Sequence, residues 1–190
     1  GRYSSYGLGE AAKGLYEFAW NEVCDWYLEL SKRRLNPGEN PSTEALADQR
    51  TARQVLAQVM EELQRMLHPL MPHLSEELWH ALTGADDKAY LALQRWPELD
   101  EAALDEALEH SFTELFEAIR VVRNLRAVAG LKPSQVAPVC FITTRPDLAK
   151  SLSGARVDIA ALTRAESVEV MADAPPVRAL AGVSGELQVL

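Results

Sequence analysis

Apolar residues recur at steps of three and four through Leu8, Ala12, Leu15, Ala19, Val23, Trp26 and Leu30, so the chain opens on a long amphipathic helix. That helix is predicted to run to Leu35. Its last turn carries Lys32, Arg33 and Arg34, where positive charge complements the carbonyl end of the helix dipole, and Asn36-Pro37-Gly38 stops it. Beyond the loop NPGENPST, a second helix is predicted over residues 43–68 on Leu46, Val55, Leu56, Val59, Leu63 and Leu67. Pro69 and Pro72 force a bend, and Pro72 then opens a third helix that ends at Gly84, because a first-turn proline gives up no intrahelical bond. Residues 90–97 are short, alternating and apolar-rich, and are expected as an extended strap. A fourth helix is predicted over residues 100–130, with Leu104, Leu108, Phe112, Leu115, Phe116, Ile119, Val122 and Leu125 on one face and Gly130 closing it.

After Lys132-Pro133 the pattern changes. VAPVCFITT is a β-branched run of strand type, and Thr144-Arg-Pro-Asp147 is expected to open a short helix as a capping box. Helical spacing resumes over 158–163, and strand-like pieces follow at 167–171, 177–181 and 186–190. Gly182-Val-Ser-Gly185 is the expected turn between the last two. The fold class is therefore mainly α: an antiparallel helical bundle over residues 1–133, followed by a small α+β module over 134–190. GRYSSYGLGE at the start has no Met, apolar signal segment or Arg/Ser-rich transit pattern, and the last residues, Leu187-Gln-Val-Leu190, are apolar without a stop signal. Both ends read as cuts from a longer polypeptide.

Length and composition narrow the classes. A chain of 190 residues with 47% hydrophobic content can bury a sizeable core. No apolar run approaches the ~20 residues of a membrane span, so no membrane partner is expected. Cys24 and Cys140 form neither a CxxC pair nor a disulfide framework, which favours a reducing, cytoplasmic compartment. Cys24, alone in mid-helix, is expected as a buried and inert thiol. The net charge of −9 argues against a general phosphate-coating surface and against DNA as a partner. Charge is nevertheless segregated, with six acidic and no basic residues over 98–109, then four basic and no acidic residues over 120–132. A local cationic surface and a solvated, charge-segregated helix are both compatible with that pattern.

Few residues invite catalysis. His73, Glu77 and His80 share a helical face, and Glu77-Leu-Trp-His80 has the Glu-x-x-His form of di-iron bundles. Such a site needs a second motif, but Ala107 stands where a partner glutamate ahead of His110 would have to be, and no cysteine lies nearby in sequence. No metal site is expected, and His68 and His73 read as satisfied polar residues at a helix junction. There is no glycine-rich phosphate cradle, no G-x-S-x-G elbow and no H-E-x-x-H helix, so no catalytic residue is expected. Trp26, Tyr27, Phe112 and Phe116 are expected in the core. Trp20 or Trp79, if exposed, would suit a protein-interaction module, which stands as an alternative class.

Three strings carry a more specific signal: LYEFAWNEVCDWYLELSKRRL, LHPLMPHLSEELWHAL and AIRVVRNLRAVAGLKPSQ, in that order and ahead of a β-containing tail. Together they resemble the C-terminal region of the valyl-tRNA synthetase family, class I aminoacyl-tRNA synthetases, in the cyanobacterial or wider bacterial style. PHLSEELW is shared in outline with the isoleucyl and leucyl branches, the alternative assignment, whereas CDWYLEL followed by IRVVRNLR points to the valyl branch. The resemblance implies an anticodon-binding helical bundle and a small α/β domain, in an enzyme that joins valine to tRNA(Val) using ATP. It also implies that the fragment itself is non-catalytic and takes no cofactor. The His-x-Gly-His-type and Lys-Met-Ser-Lys-Ser-type motifs have no counterpart in it, so ATP and Mg²⁺ would belong to the parent's catalytic domain. In the family a basic coiled-coil arm follows this region. The implied partners are the tRNA(Val) anticodon stem-loop and the catalytic body of the same polypeptide.

Single-stranded loops are gripped by cationic groups on phosphates and by apolar or aromatic contacts to unstacked bases. On this sequence, Lys32, Arg33 and Arg34 are the candidates for phosphates or base edges, with Leu35 as an apolar contact. Arg120, Arg123 and Arg126, spread in steps of three over an arc of helix, are a second candidate set; packing against the preceding acidic stretch would explain them equally well. The family's Asn-x-x-x-Arg helix would precede Gly1, and residues 2–14 would fall near the junction between the first two bundle helices.

Overall fold

The computed structural model describes residues 7–175 and 179–190, and it is mostly helical with a small four-stranded sheet. Its chain forms two compact units, Gly1–Asp100 and Glu101–Leu190. The boundary expected at 133/134 falls inside the second unit.

In the first unit, α1 (Leu8–Glu17) continues without a break into a π-helical stretch, Phe18–Leu28, and then into α2 (Glu29–Leu35). The dihedrals at both junctions, Glu17 and Glu29, are ordinary right-handed helical values, so the run behaves as one rod. The wider i→i+5 winding alters which residues face inward. Val23 and Trp26 are buried as expected, but the next buried position is Ser31, five residues after Trp26, rather than Leu30. Toward the start, Ala11 is buried in place of Ala12 and Leu8 is exposed. Cys24 lies between two inward positions and is exposed, a correction to the inert buried thiol.

α3 (Thr43–Leu67) starts at Ser42, whose hydroxyl accepts the Ala45 N–H at 3.2 Å. It packs on α2 and on α4 (Pro72–Thr83). Ala52 and Leu63 supply its buried face, whereas Leu46 and Val55 remain exposed. The small Ala52 lets the Tyr27 hydroxyl reach its carbonyl at 3.4 Å. Pro72 occupies the first turn of α4, and Gly84, at φ 66°, ends it as the sequence implied. Trp79 is buried, its Nε1 donating to Glu61 Oε1 at 3.0 Å, so of the two tryptophans considered for docking only Trp20 is exposed. The expected strap contains one 3₁₀ turn, Leu91–Leu93, and Glu76 Oε1 accepts the Leu91 N–H at 2.6 Å to fasten it.

The second unit is built on α5 (Glu106–Val128), β1 (Ala137–Ile142), α6 (Pro146–Gly154), α7 (Arg156–Thr163), β2 (Ala165–Met171), β3 (Gly182–Ser184) and β4 (Leu187–Val189). Sheet order is β2-β1-β4-β3, with β1 parallel to β2 and β4 antiparallel to both β1 and β3. β1 is central, which is why its sequence is continuously apolar rather than alternating. Val139, Phe141 and Ile142 are buried there with Leu148, Leu152, Ile159, Leu187 and Val189. Against the sheet and the two short helices lies α5, through Leu115, Ala118, Ile119 and Val122. Its N-terminal apolar positions, Leu108 and Phe112, are exposed; Phe112 thus departs from the expected core role and makes a tilted ring contact with Phe116 at 5.8 Å.

Two local expectations need correction. The helix predicted to open at Thr144 as a capping box begins at Pro146, with Arg145 as its flanking residue and no side-chain cap, because Pro146 is the better first-turn residue. Gly182-Val-Ser is a strand and not a turn; the reversal falls at Gly185-Glu186, where Gly185 has φ 55°. Part of the strand expected at 177–181, residues 177 and 178, lies outside the described residues, as do residues 1–6.

Candidate nucleic-acid interface

The first candidate set occupies the last turn of α2. Helix ends leave carbonyls without intrahelical partners, and here three donors from nearby cover two of them. Asn36 gives its backbone N–H to Lys32 O at 3.0 Å and its side-chain Nδ2 to the same oxygen at 3.1 Å, while Gln49 Nε2 donates to Leu35 O at 2.7 Å. Ser31, buried at the preceding position, seats the turn against the unit's interior. Lys32 and Arg33 are therefore carried outward on a turn whose backbone is tied down.

The side chains differ in exposure. Lys32 is exposed and its Nζ lies 2.6 Å from Glu29 Oε1, an i,i+3 surface pair of small energetic weight. Arg33 is exposed. Arg34 is held: Nε lies 3.1 and 3.0 Å from Asp48 Oδ1 and Oδ2, and Nη2 lies 2.7 Å from Oδ1. This fork raises the Arg34 pKa further and draws the Asp48 carboxyl below its ordinary value, in both cases chiefly through the hydrogen bonding. Leu35 is half-buried, leaving part of its side chain available as an apolar contact.

Asp48 and Gln49 were not singled out by sequence reasoning. Both sit in the second turn of α3, and the short loop 36–42 returns the chain so that this turn meets the end of α2. The signal was present as a basic triplet and an acid on either side of a tight connection, but the pairing partner is set only by the helical phase of α3.

The second candidate set lies in the second unit, on the outer side of α5. Arg120 pairs with Glu117 one turn earlier. Arg123 Nε donates to Leu162 O at 3.3 Å, and Arg126 donates through Nη2 to Gln135 O at 2.6 Å and through Nη1 to Arg164 O at 3.4 Å. Two of these arginines therefore tie α5 to the end of α7 and to the α5–β1 loop. Glu117, Leu162, Gln135 and Arg164 all lie outside the acidic stretch 98–109. Arg126 also brings a charge to an apolar cleft of about 180 Å³ lined by Val122, Leu125, Leu131, Val139 and Val189.

The face considered for metal does not converge. His73 and Glu77 are exposed, and His80 is turned toward Ala85 O at 3.2 Å and Glu76 Oε1 at 3.5 Å. His68 Nδ1 lies 2.9 Å from Ser75 Oγ, at the helix junction where a satisfied histidine was expected. Among the described residues no group of three His, Cys, Asp or Glu side chains comes together, and the left-handed glycines, Gly38, Gly84, Gly130 and Gly185, are isolated in loops, helix ends and a turn. Among the described residues no helix is long and apolar enough to cross a membrane.

A family model for the anticodon-binding domain of tRNA ligases matches residues 1–141, and the chain belongs to that family. Within it, the chain is 72% identical to the valine–tRNA ligase of Parasynechococcus marenigrum (strain WH8102), over all of this chain and 21% of that protein. It is 71% identical to the valine–tRNA ligase of Prochlorococcus marinus (strain MIT 9313) and 45% identical to that of Thermosynechococcus vestitus, over all of this chain and 20% of each. It thus spans about a fifth of the length of the curated relatives it matches.

Proposed function

We propose that this chain is the anticodon-binding region of a valine–tRNA ligase and grips the anticodon loop of tRNA(Val) through the end of α2. The observation that carries the reading is the 72% identity to a valine–tRNA ligase along the whole chain. The helices of the first unit then serve as the antiparallel bundle of that domain type, and the sheet-containing unit as its appended α/β module. Ligation of valine, with ATP and Mg²⁺, belongs to a catalytic body elsewhere in the same cytoplasmic polypeptide, which is the second partner.

The chemistry supports loop recognition. Exposed Lys32 and Arg33 attract phosphates, half-buried Leu35 offers an apolar contact to an unstacked base, and the capped turn holds all three in register. Arg123 and Arg126 donate to backbone carbonyls of the second unit, a structural task that makes them the second candidate set.

A gel-shift or fluorescence titration of the chain with valine and isoleucine anticodon stem-loops tests the reading. The valine loop binds more tightly, with affinity falling steeply as salt rises. The double variant Lys32→Glu/Arg33→Glu leaves the Arg34–Asp48 pair in place and lowers affinity at low salt by about tenfold or more. An unchanged titration removes the site assignment, and equal affinity for the two loops removes the valyl assignment.

A further inference from the structure

Arginine presents five N–H donors in a rigid planar fork, so fixing one edge of the plane determines where the other points. Asp48 engages the Nε–Nη2 edge of Arg34 with both of its carboxylate oxygens, at 3.1, 3.0 and 2.7 Å. The outer edge, made of Nη1 and the second Nη2 hydrogen, lies outside that pair. Its two parallel donors match two neighbouring acceptors in one plane. Guanine shows such a pair at O6 and N7, and the Watson–Crick edge of cytosine shows one at O2 and N3.

The surroundings make the pair more than an incidental surface contact. Asp48 and Gln49 are consecutive, and each grips the end of α2, one through the Arg34 side chain and the other through the Leu35 carbonyl at 2.7 Å. The guanidinium is thereby referenced to two elements at once. Arg34 is also half-buried, whereas its neighbours Lys32 and Arg33 are exposed. A phosphate can also take an arginine fork, but the carboxylate beside the cation cancels the net charge on which that contact chiefly draws. A base edge gains a pre-aimed donor pair.

We propose that Asp48 is a positioning residue that commits Arg34 to reading a base edge, so that it sets sequence preference while Lys32 and Arg33 supply phosphate affinity. This rests on the reading of the α2 end as the loop-binding surface. The carboxylate also lowers the local positive potential, which reduces attachment to loops of the wrong sequence.

Four proteins, wild type, Asp48→Ala, Asp48→Glu and Arg34→Lys, are titrated with the valine anticodon stem-loop and with single-base variants in which each guanine or cytosine of the loop is replaced by adenine or uracil. Melting curves of each protein are recorded in parallel. Wild type discriminates against at least one replacement by about tenfold, the effect of losing one bidentate base contact. In Asp48→Ala that ratio falls toward one while affinity for every loop at low salt holds or rises. Arg34→Lys keeps the charge and the salt slope but loses the ratio, because an ammonium has no fork. Asp48→Glu, which retains a carboxylate within reach, restores part of it. A purely structural role for Asp48 would weaken all loops together and lower the melting temperature, and a purely electrostatic one would tighten all loops by one factor. Either pattern leaves the ratio intact and overturns the proposal while the loop-binding function stands. Failure of the wild type to bind any loop overturns both.

Discussion

Gly182 stands in β3 where a side chain has no room. A Cβ built there would come within 2.7 Å of Val121 Cγ1 and 3.3 Å of Leu125 Cδ1, and the valine methyl, stiff at χ1, cannot swing away. Gly182→Ala is therefore expected to destabilise the second unit by about 1–3 kcal/mol, the usual cost of overpacking. Chemical denaturation reads it, and the double variant Gly182→Ala/Val121→Ala should recover most of the loss. A charged residue tells a similar story of hidden partners. Arg145 bonds to both Glu114 and Asp147, which raises its own pKa and holds the Asp147 carboxyl below the ordinary carboxylate range, chiefly through the Arg145 hydrogen bond. Because the folded-state pKa of Asp147 is depressed, its stabilisation is complete above the unfolded value and is lost as pH falls through the folded one. Melting temperature should thus decline below about pH 4, and Asp147→Asn should flatten a small part of that decline, small because the pair is largely exposed. An identical pH profile for the variant would show that the pair carries none of it.

Elements depend on their ends as much as on their faces. α5 begins where the Asp105 side chain accepts the Leu108 N–H at 2.9 Å, with Glu106 and Glu109 adding negative charge to the first turn. Asp105→Ala should cost about 1 kcal/mol and fray the turn that carries Leu108, seen as faster amide exchange there than at Leu115. Some ends were readable, Pro72 inside α4 and Gly84 and Gly130 after their helices, but the start of α5 was not, since the helix expected from Asp100 begins at Glu106. Helix faces were less readable. Leu30 yielded its inward place to Ser31 because the stretch before it winds with i→i+5 bonds, a change of phase that no 3.6-residue periodicity contains. Leu108 and Phe112 continue the apolar stripe of α5 beyond its buried half, so the stripe marked the side of the helix correctly but not how far along it the core extends. Nor could sequence pair Arg34 with Asp48, since two helices must first be laid side by side.

At the scale of the molecule the position of α5 matters most. The apolar face of this helix covers the sheet unit, packing on β3, β4, α6 and α7. Residues 101–190 expressed alone should therefore fold cooperatively, whereas 134–190, without Leu115, Ile119 and Val122, should remain largely unfolded by circular dichroism and calorimetry. A folded 134–190 fragment would return α5 to a role outside that core. Local chemistry in the sequence was enough to determine the helices, some of their ends, the change to β texture after Lys132-Pro133 and the cationic last turn of α2, because propensity, capping and periodicity act within a few residues. Only the tertiary structure decided which faces are covered, that Gly182 lies in a strand, and that Arg34 of the basic triplet is clamped by Asp48 of the next helix. Those outcomes depend on contacts between residues far apart in the chain, whose geometry does not exist until the elements have packed.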